Sequence, residues 1–111
     1  MRNSVTLTIN AGTAQPLIPS WVPTKARDLI ITPLHGSSAG LGYVLCAPPG
    51  AVATKSAQNF VTEIGPATAT APGTIFKLDR TMSGQVPINV EEYQLDGSHT
   101  GDTFQCSWEL P

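Results

Sequence analysis

The groups able to carry acid–base, nucleophilic or metal chemistry in this chain are few: two histidines, two cysteines and eight carboxylates among 111 residues. His35 and His99 both stand in Gly/Ser-rich turns. Neither lies in a local pattern that couples it to a nucleophile, such as Gly-x-Ser-x-Gly. A chain so poor in charge offers few acids and bases to assemble in space, and no catalytic residue is assigned. The densest oxygen cluster is Asp96-Gly97-Ser98-His99-Thr100-Gly101-Asp102. Calcium loops space their acids more closely, as in Asp-x-Asp-x-Asp, so this stretch is read as a hairpin connection in which Asp and Gly serve backbone geometry. Glu91 and Glu92 are adjacent, and in a strand they point to opposite faces rather than forming a carboxylate pair. Cys46 and Cys106 are too few for a disulfide framework or a zinc site and are read as small buried hydrophobes. No metal site and no cofactor is expected.

Aromatic residues offer binding rather than catalysis. Trp21 lies between two prolines, in Pro19-Ser20-Trp21-Val22-Pro23. Such backbone is stiff, extended and unable to complete a central ladder, so Trp21 either plugs the end of a sandwich or anchors an interface. Trp108 lies on an alternating stretch and is expected in the core. With Tyr43 and Tyr93 the two tryptophans could make a sugar-stacking platform, although nothing in their spacing singles that out.

Composition narrows the partners. Charged residues are 13% of the chain, about half the usual share, so the surface is largely Thr, Ser, Gln, Asn and apolar groups. A weakly charged surface is a poor defence against association. Six scattered Lys and Arg and a net charge of −2 do not make a phosphate-binding footprint, so nucleic acid is not an expected partner. The longest apolar stretches, Leu29–Ile31 and Tyr43–Ala47, are far too short to span a bilayer. The start, Met1-Arg2-Asn3-Ser4, runs straight into an alternating pattern rather than a signal peptide's apolar run, which gives a cytosolic site of synthesis as the expectation.

The elements that must carry these residues are strands. Val5, Leu7 and Ile9 alternate with Ser4, Thr6 and Thr8, and Phe104, Cys106, Trp108 and Leu110 alternate with Thr103, Gln105, Ser107 and Glu109. Each places an apolar row on one face. Asp28–Leu34 carries an apolar Leu29-Ile30-Ile31 core ended by Pro33, which suits a strand buried on both sides. Gly42–Cys46, Phe60–Ile64, Thr74–Leu78 and Ile88–Leu95 are further runs rich in β-branched and aromatic residues. Ala51–Asn59 has room for a turn or two of helix, and Gly65–Pro72 reads as an extended loop. Turn signals recur about every ten residues, at Asn10-Ala11-Gly12, His35–Gly40, Pro48-Pro49-Gly50, Pro72-Gly73, Ser83-Gly84 and Asp96-Gly97-Ser98. The expectation is all-β: one domain over 1–111, a single antiparallel β-sandwich or jelly roll of about seven or eight short strands.

The order of these pieces resembles the small β-sandwich virion proteins of tailed bacteriophages. The residues that carry the likeness are Thr13-Ala14-Gln15-Pro16-Leu17, Ala26-Arg27-Asp28-Leu29-Ile30-Ile31-Thr32-Pro33-Leu34, Ala39-Gly40-Leu41-Gly42-Tyr43-Val44 and the closing run from Tyr93 to Phe104. It touches the chain from about Thr6 to Trp108. The resemblance implies a capsid cement or decoration protein on the outer face of the head, bridging subunits of the major capsid protein. Such proteins often form homotrimers, are assembled in the host cytoplasm and end in the virion.

From the alternating start and the Pro-stiffened segment after it, the expected interface with a neighbouring subunit or capsid comprises Val5, Leu7, Ile9, Leu17 and Trp21. A terminal alternating strand is well suited to adding itself to another sheet. Two alternatives stay open: a tail, collar or fibre-base part of the virion, and a small glycan-binding module.

Overall fold

The computed structural model describes residues 1–19, 22–35, 40–55, 59–65 and 74–110. Trp21, the turn over 36–39 and most of the loop expected at Gly65–Pro72 lie outside them. The strands are β1 (Arg2–Thr8), β2 (Gln15–Pro16), β3 (Lys25–Ala26), β4 (Asp28–His35), β5 (Gly42–Cys46), β6 (Phe60–Ile64), β7 (Phe76–Asp79), β8 (Ile88–Asn89), β9 (Tyr93–Gly97) and β10 (Thr103–Glu109). They form two four-stranded sheets, β1-β10-β4-β7 and β2-β9-β5-β6, and a short β3-β8 ribbon. Every pairing is antiparallel. Apart from the β5–β6 hairpin, each connection leaves the sheet it started from. That winding, in which the first and last strands lie side by side, is the jelly roll, a two-sheet arrangement of paired Greek keys.

Period-two alternation supplies the core. Leu29, Ile31, Phe76, Phe104, Cys106 and Trp108 face inward from one sheet, and Val44, Ile64 and Leu95 meet them from the other. The expected one-sided rows on β1 and β10 are present. β4 differs from its expectation: Leu29 and Ile31 are buried while Ile30 is only half-buried, so it too is one-sided. Its bounds match the expected Asp28–Leu34 to within one residue, with Pro33 inside the strand. The strand runs on to His35, because β4 pairs with β7 only over Asp28–Ile31 and the β10 register slips at Thr103/Phe104. A proline beside a bulge, where one neighbour has ended, interrupts little.

Two further expectations are corrected. Asp96–Asp102 is not a hairpin, since β9 and β10 belong to different sheets; the loop is a corner that carries the chain across the sandwich. Ile88–Leu95 is not one strand either. It breaks into β8, a single 3₁₀ turn at Val90–Glu92, and β9, so Glu91 and Glu92 sit on a turn and the strand argument for separating them does not apply.

The β2-β9-β5-β6 sheet carries a second layer on its outer face. Leu45, Ala47 and Ala53 are buried there, with Ala14 and Tyr43 packed against them. Gln94 holds the covering segment down: its Oε1 accepts from Ala53 N at 3.3 Å and its Nε2 donates to Ala51 O at 2.8 Å. Residues 51–55 take no helical turn, since a strap tied to the sheet by its own backbone groups cannot spend them within a helix. Where the layers come closest, Gly42 is required by space. A Cβ there would lie 2.8 Å from Ile64 Cγ1 and from the Phe104 ring.

Candidate interaction surface

β1 is an edge strand. It pairs with β10 from Arg2↔Glu109 to Thr8↔Thr103 without a slip in register, and on its other side no described strand follows. Val5 and Leu7 point inward and pack against the core, but both remain half-buried. The strand that could cover them, β2, is only two residues long. Ile9 and Leu17 depart from the expectation. At 1% and 3% exposure their side chains lie inside the chain's own core and present no surface to a partner. Burial of Ile9 follows from its place at the β1–β2 corner, where the chain turns under the second sheet and Gly97 leaves room: a Cβ on Gly97 would stand 2.9 Å from Ile9 Cγ2.

Charge has been removed from this edge. Arg2 donates from Nη1 to Ser107 Oγ at 3.0 Å and from Nη2 to Asp28 Oδ2 at 2.5 Å, and its Nε lies 3.6 Å from Glu109 Oε2. The N-terminal ammonium donates to Glu109 Oε1 at 3.1 Å. Exposed pairs of this kind add little stability, but they pin the one cation of β1 back onto β10 and β4. What remains along the exposed face is Ser4, Thr6 and Thr8.

Among the described residues, the other three edges of the two four-stranded sheets are defended in the ways sheets avoid open-ended pairing. β2 is very short and contains Pro16. β7 is four residues long and exposes Lys77 and Asp79. β6 exposes Glu63, paired to Lys55 at 3.4 Å, and Lys55 also sits 4.0 Å over the Tyr43 ring. β1 has seven residues, no proline, no bulge and no free charge. It is the undefended edge.

The remaining candidates lie elsewhere. Trp108 is in the core at 6% exposure, Tyr93 packs on Phe76 with ring centroids 6.2 Å apart, and Tyr43 faces outward from the opposite sheet under Lys55. These rings do not share a platform. In the Asp96–Asp102 corner the oxygens are engaged by backbone: Asp96 Oδ1 accepts from Gly12 N at 3.0 Å and Gly97 N at 2.7 Å, and Thr100 Oγ1 accepts from Ala11 N at 3.0 Å. Ser98 Oγ accepts from Leu41 N at 2.8 Å and lies 2.8 Å from His99 Nδ1. Among the described residues no group of three or more metal-ligating side chains comes together. A shallow cleft of about 210 Å³ beside the outer strap is lined by Pro16, Val52, Glu91 and Gln94 among others. Its polar groups are already bonded within the chain, Glu91 Oε2 to Thr24 N at 3.1 Å. The strap's signal in the sequence is the Pro48-Pro49-Gly50 turn followed by small residues, which local patterning alone does not tie to a sheet face.

Several large apolar side chains are exposed. Met1, Val22, Val52, Met82 and Val86 are between 44% and 82% exposed; Met1 lies beside the end of β10, where Leu110 N donates to Met1 O, and the connection carrying Met82 and Val86 leaves β7 at Asp79, opposite Asp28 at the same end of the sheet.

Both cysteines are free thiols. Burial pushes the Cys106 thiol up to about 12, and Cys46 is raised by burial and then by the Glu92 charge. A thiol whose folded pKa lies above its unfolded value contributes stability that is whole below the unfolded pKa, about 9, and is lost as pH rises towards 12. Unfolding free energy should therefore fall between pH 9 and 12 by up to about 1.4 kcal/mol per pH unit. Urea titrations across that range should show the slope in the native chain and a shallower one in Cys106→Val.

Comparison of the chain with protein-family models, with curated proteins and with solved structures found no match.

Proposed function

We propose that this chain is a bacteriophage virion structural protein, a capsid cement or decoration protein that binds the outer face of the head and also binds itself. The observation that carries the reading is the undefended, charge-neutralised β1 edge on a domain whose other described edges are blunted. The ordered likeness to small phage β-sandwich proteins and the low surface charge support it, and the exposed Met82 and Val86 of the β7–β8 connection offer the shell further apolar contacts. The jelly roll alone adds little, because the same fold serves lectins and cupins as well as capsids. A clamp of this kind draws affinity from preorganised contacts repeated over a symmetric shell rather than from one deep pocket.

The test is to mix purified chain with expanded heads built from the major capsid protein of the same genome, pellet the heads and count bound copies. Saturation at hundreds of copies per head is expected, with binding lost in the double variant Met82→Asp/Val86→Asp, both positions being exposed. No binding overturns the reading, and a native count of only a few dozen copies per particle places the chain in the tail or collar instead.

A further inference from the structure

We infer that the β1 edge is the site of a two-fold dimer, in which β1 of one chain pairs antiparallel with β1 of a second copy, Ser4 opposite Ser4. This deepens the self-association in the proposed function and rests on the described edge, not on capsid binding.

The argument starts from which backbone groups are free. Leu110 N donates to Met1 O at 2.9 Å, Ile9 N donates to Asp102 O at 2.8 Å, and Gly101 N donates to Ile9 O at 2.9 Å. Both ends of β1 thus turn their odd-numbered residues towards β10. In an antiparallel ladder the bonding side alternates residue by residue, and the register between these ends is unbroken. The N–H and C=O groups of Arg2, Ser4, Thr6 and Thr8 therefore point away from β10. The outward side is confirmed at Thr8, whose carbonyl accepts Gln15 Nε2 at 2.6 Å, and at Asn10, whose carbonyl accepts Thr13 N at 2.9 Å. The β1–β2 corner thus closes the open edge at Thr8. From Arg2 to Thr6 the outward groups have no partner among the described residues.

Those facts select both the occupant and the register. A row of alternating donors and acceptors on even residues fits another such row, and antiparallel self-pairing brings even residue against even residue. Pairing Ser4 with Ser4 matches Arg2 with Thr6 in both directions, uses every free group from Arg2 to Thr6 and stops short of the carbonyl that Gln15 already holds. It makes about six backbone hydrogen bonds. Shifting by one pair, to centre on Val5, would set Arg2 against Thr8 and compete with Gln15. The chosen register also puts Met1, 81% exposed, opposite Leu7 of the second copy, on the face where Leu7 is only half-covered. Hydroxyl pairs across the strands are favourable, and Arg2 meets Thr6 rather than another cation. The contact is isologous, so it closes with two chains and builds neither a trimer nor a fibre.

The experiment uses the full chain. Sedimentation equilibrium at micromolar concentration should give twice the chain mass of 11.7 kDa. Thr6→Pro removes an outward N–H without touching the β10 ladder, and Thr6→Lys places a charge on the edge; each should return the mass to that of one chain with melting temperature held within a few degrees. In a Cys46→Ser background, Ser4→Cys should form an intermolecular disulfide under mild oxidation, because directly paired Cα atoms stand about 5.5 Å apart. Thr6→Cys should cross-link far more slowly. A native chain that stays monomeric, a trimer untouched by both Thr6 variants, or faster cross-linking at Thr6 than at Ser4 each overturns the pairing; should the proline variant fail to fold, the lysine variant decides. A monomer that decorates capsids removes the dimer alone, whereas a dimer that ignores capsids removes the cement role alone.

Discussion

Ile31→Ala should cost about 3 kcal/mol and lower the melting temperature by roughly 12 °C. Ile31 is fully buried in β4, flanked by Cys106 on β10 and Phe76 on β7. With a strand bonded on each side, the backbone cannot settle into the space left by the lost carbons. The cost is therefore transfer of the side chain plus most of a cavity. Val5→Ala is the control, since Val5 is half-buried on the edge strand, where solvent and the side chains around it can relax; about 1 kcal/mol is expected there. Denaturant melts of the two variants check the contrast. Equal losses would mean that the edge is packed as tightly as the centre, which would remove the reason for treating β1 as open.

Asp96→Ala should cost about 3 kcal/mol, by a different route. Asp96 is 7% exposed and its Oδ1 takes the N–H groups of both Gly12 and Gly97. Those two amides belong to the β1–β2 and β9–β10 corners, so one carboxylate ties together two of the places where the chain changes sheets. Alanine would leave both donors without their acceptor in a partly dry site, and a lost partner costs more than a hydrogen bond contributes. Asp96→Asn retains an oxygen in place and should cost about 1 kcal/mol, because only the charge assistance is lost. Chemical denaturation separates these outcomes. A loss in Asn as large as in Ala would show that the charge, not the acceptor, holds the corner. Because the β1–β2 corner also carries Gln15, whose amide closes the open edge at Thr8, Asp96→Ala should in addition loosen the register of the proposed dimer.

Much of the architecture was readable along the chain. Strand and turn follow from short-range rules: side chains alternate with period two wherever one face is dry, and Gly, Pro, Asn and Asp mark the reversals. That is why β1 and β10, the all-β class and the two-sheet form could be written down from the order of residues. Short-range rules fall short where they meet a long-range competitor. Asp-Gly-Ser looks the same in a hairpin and in a sheet-to-sheet corner, since both need a tight reversal. Only the β10 partnership with β1 and β4 decides between them. Pro33 ends the apolar core of the Asp28–Leu34 run yet sits inside β4, because the shortness of β7 and the slipped β10 register leave it little to break.

The interaction surface divides in the same way. Val5, Leu7 and Ile9 are one alternating row by sequence, yet Ile9 is sealed by the crossing corner while Val5 and Leu7 stay half-open, because β2 stops after two residues. Residue order by itself determined that β1 is an apolar-in, hydroxyl-out strand with almost no charge. Only the tertiary structure decided that this strand stands at an edge, that Arg2 is folded back onto Asp28 and Glu109, and that the free backbone groups are those of the even residues. The physical reason is that alternation is local to a strand, whereas edge status depends on which distant segments arrive beside it.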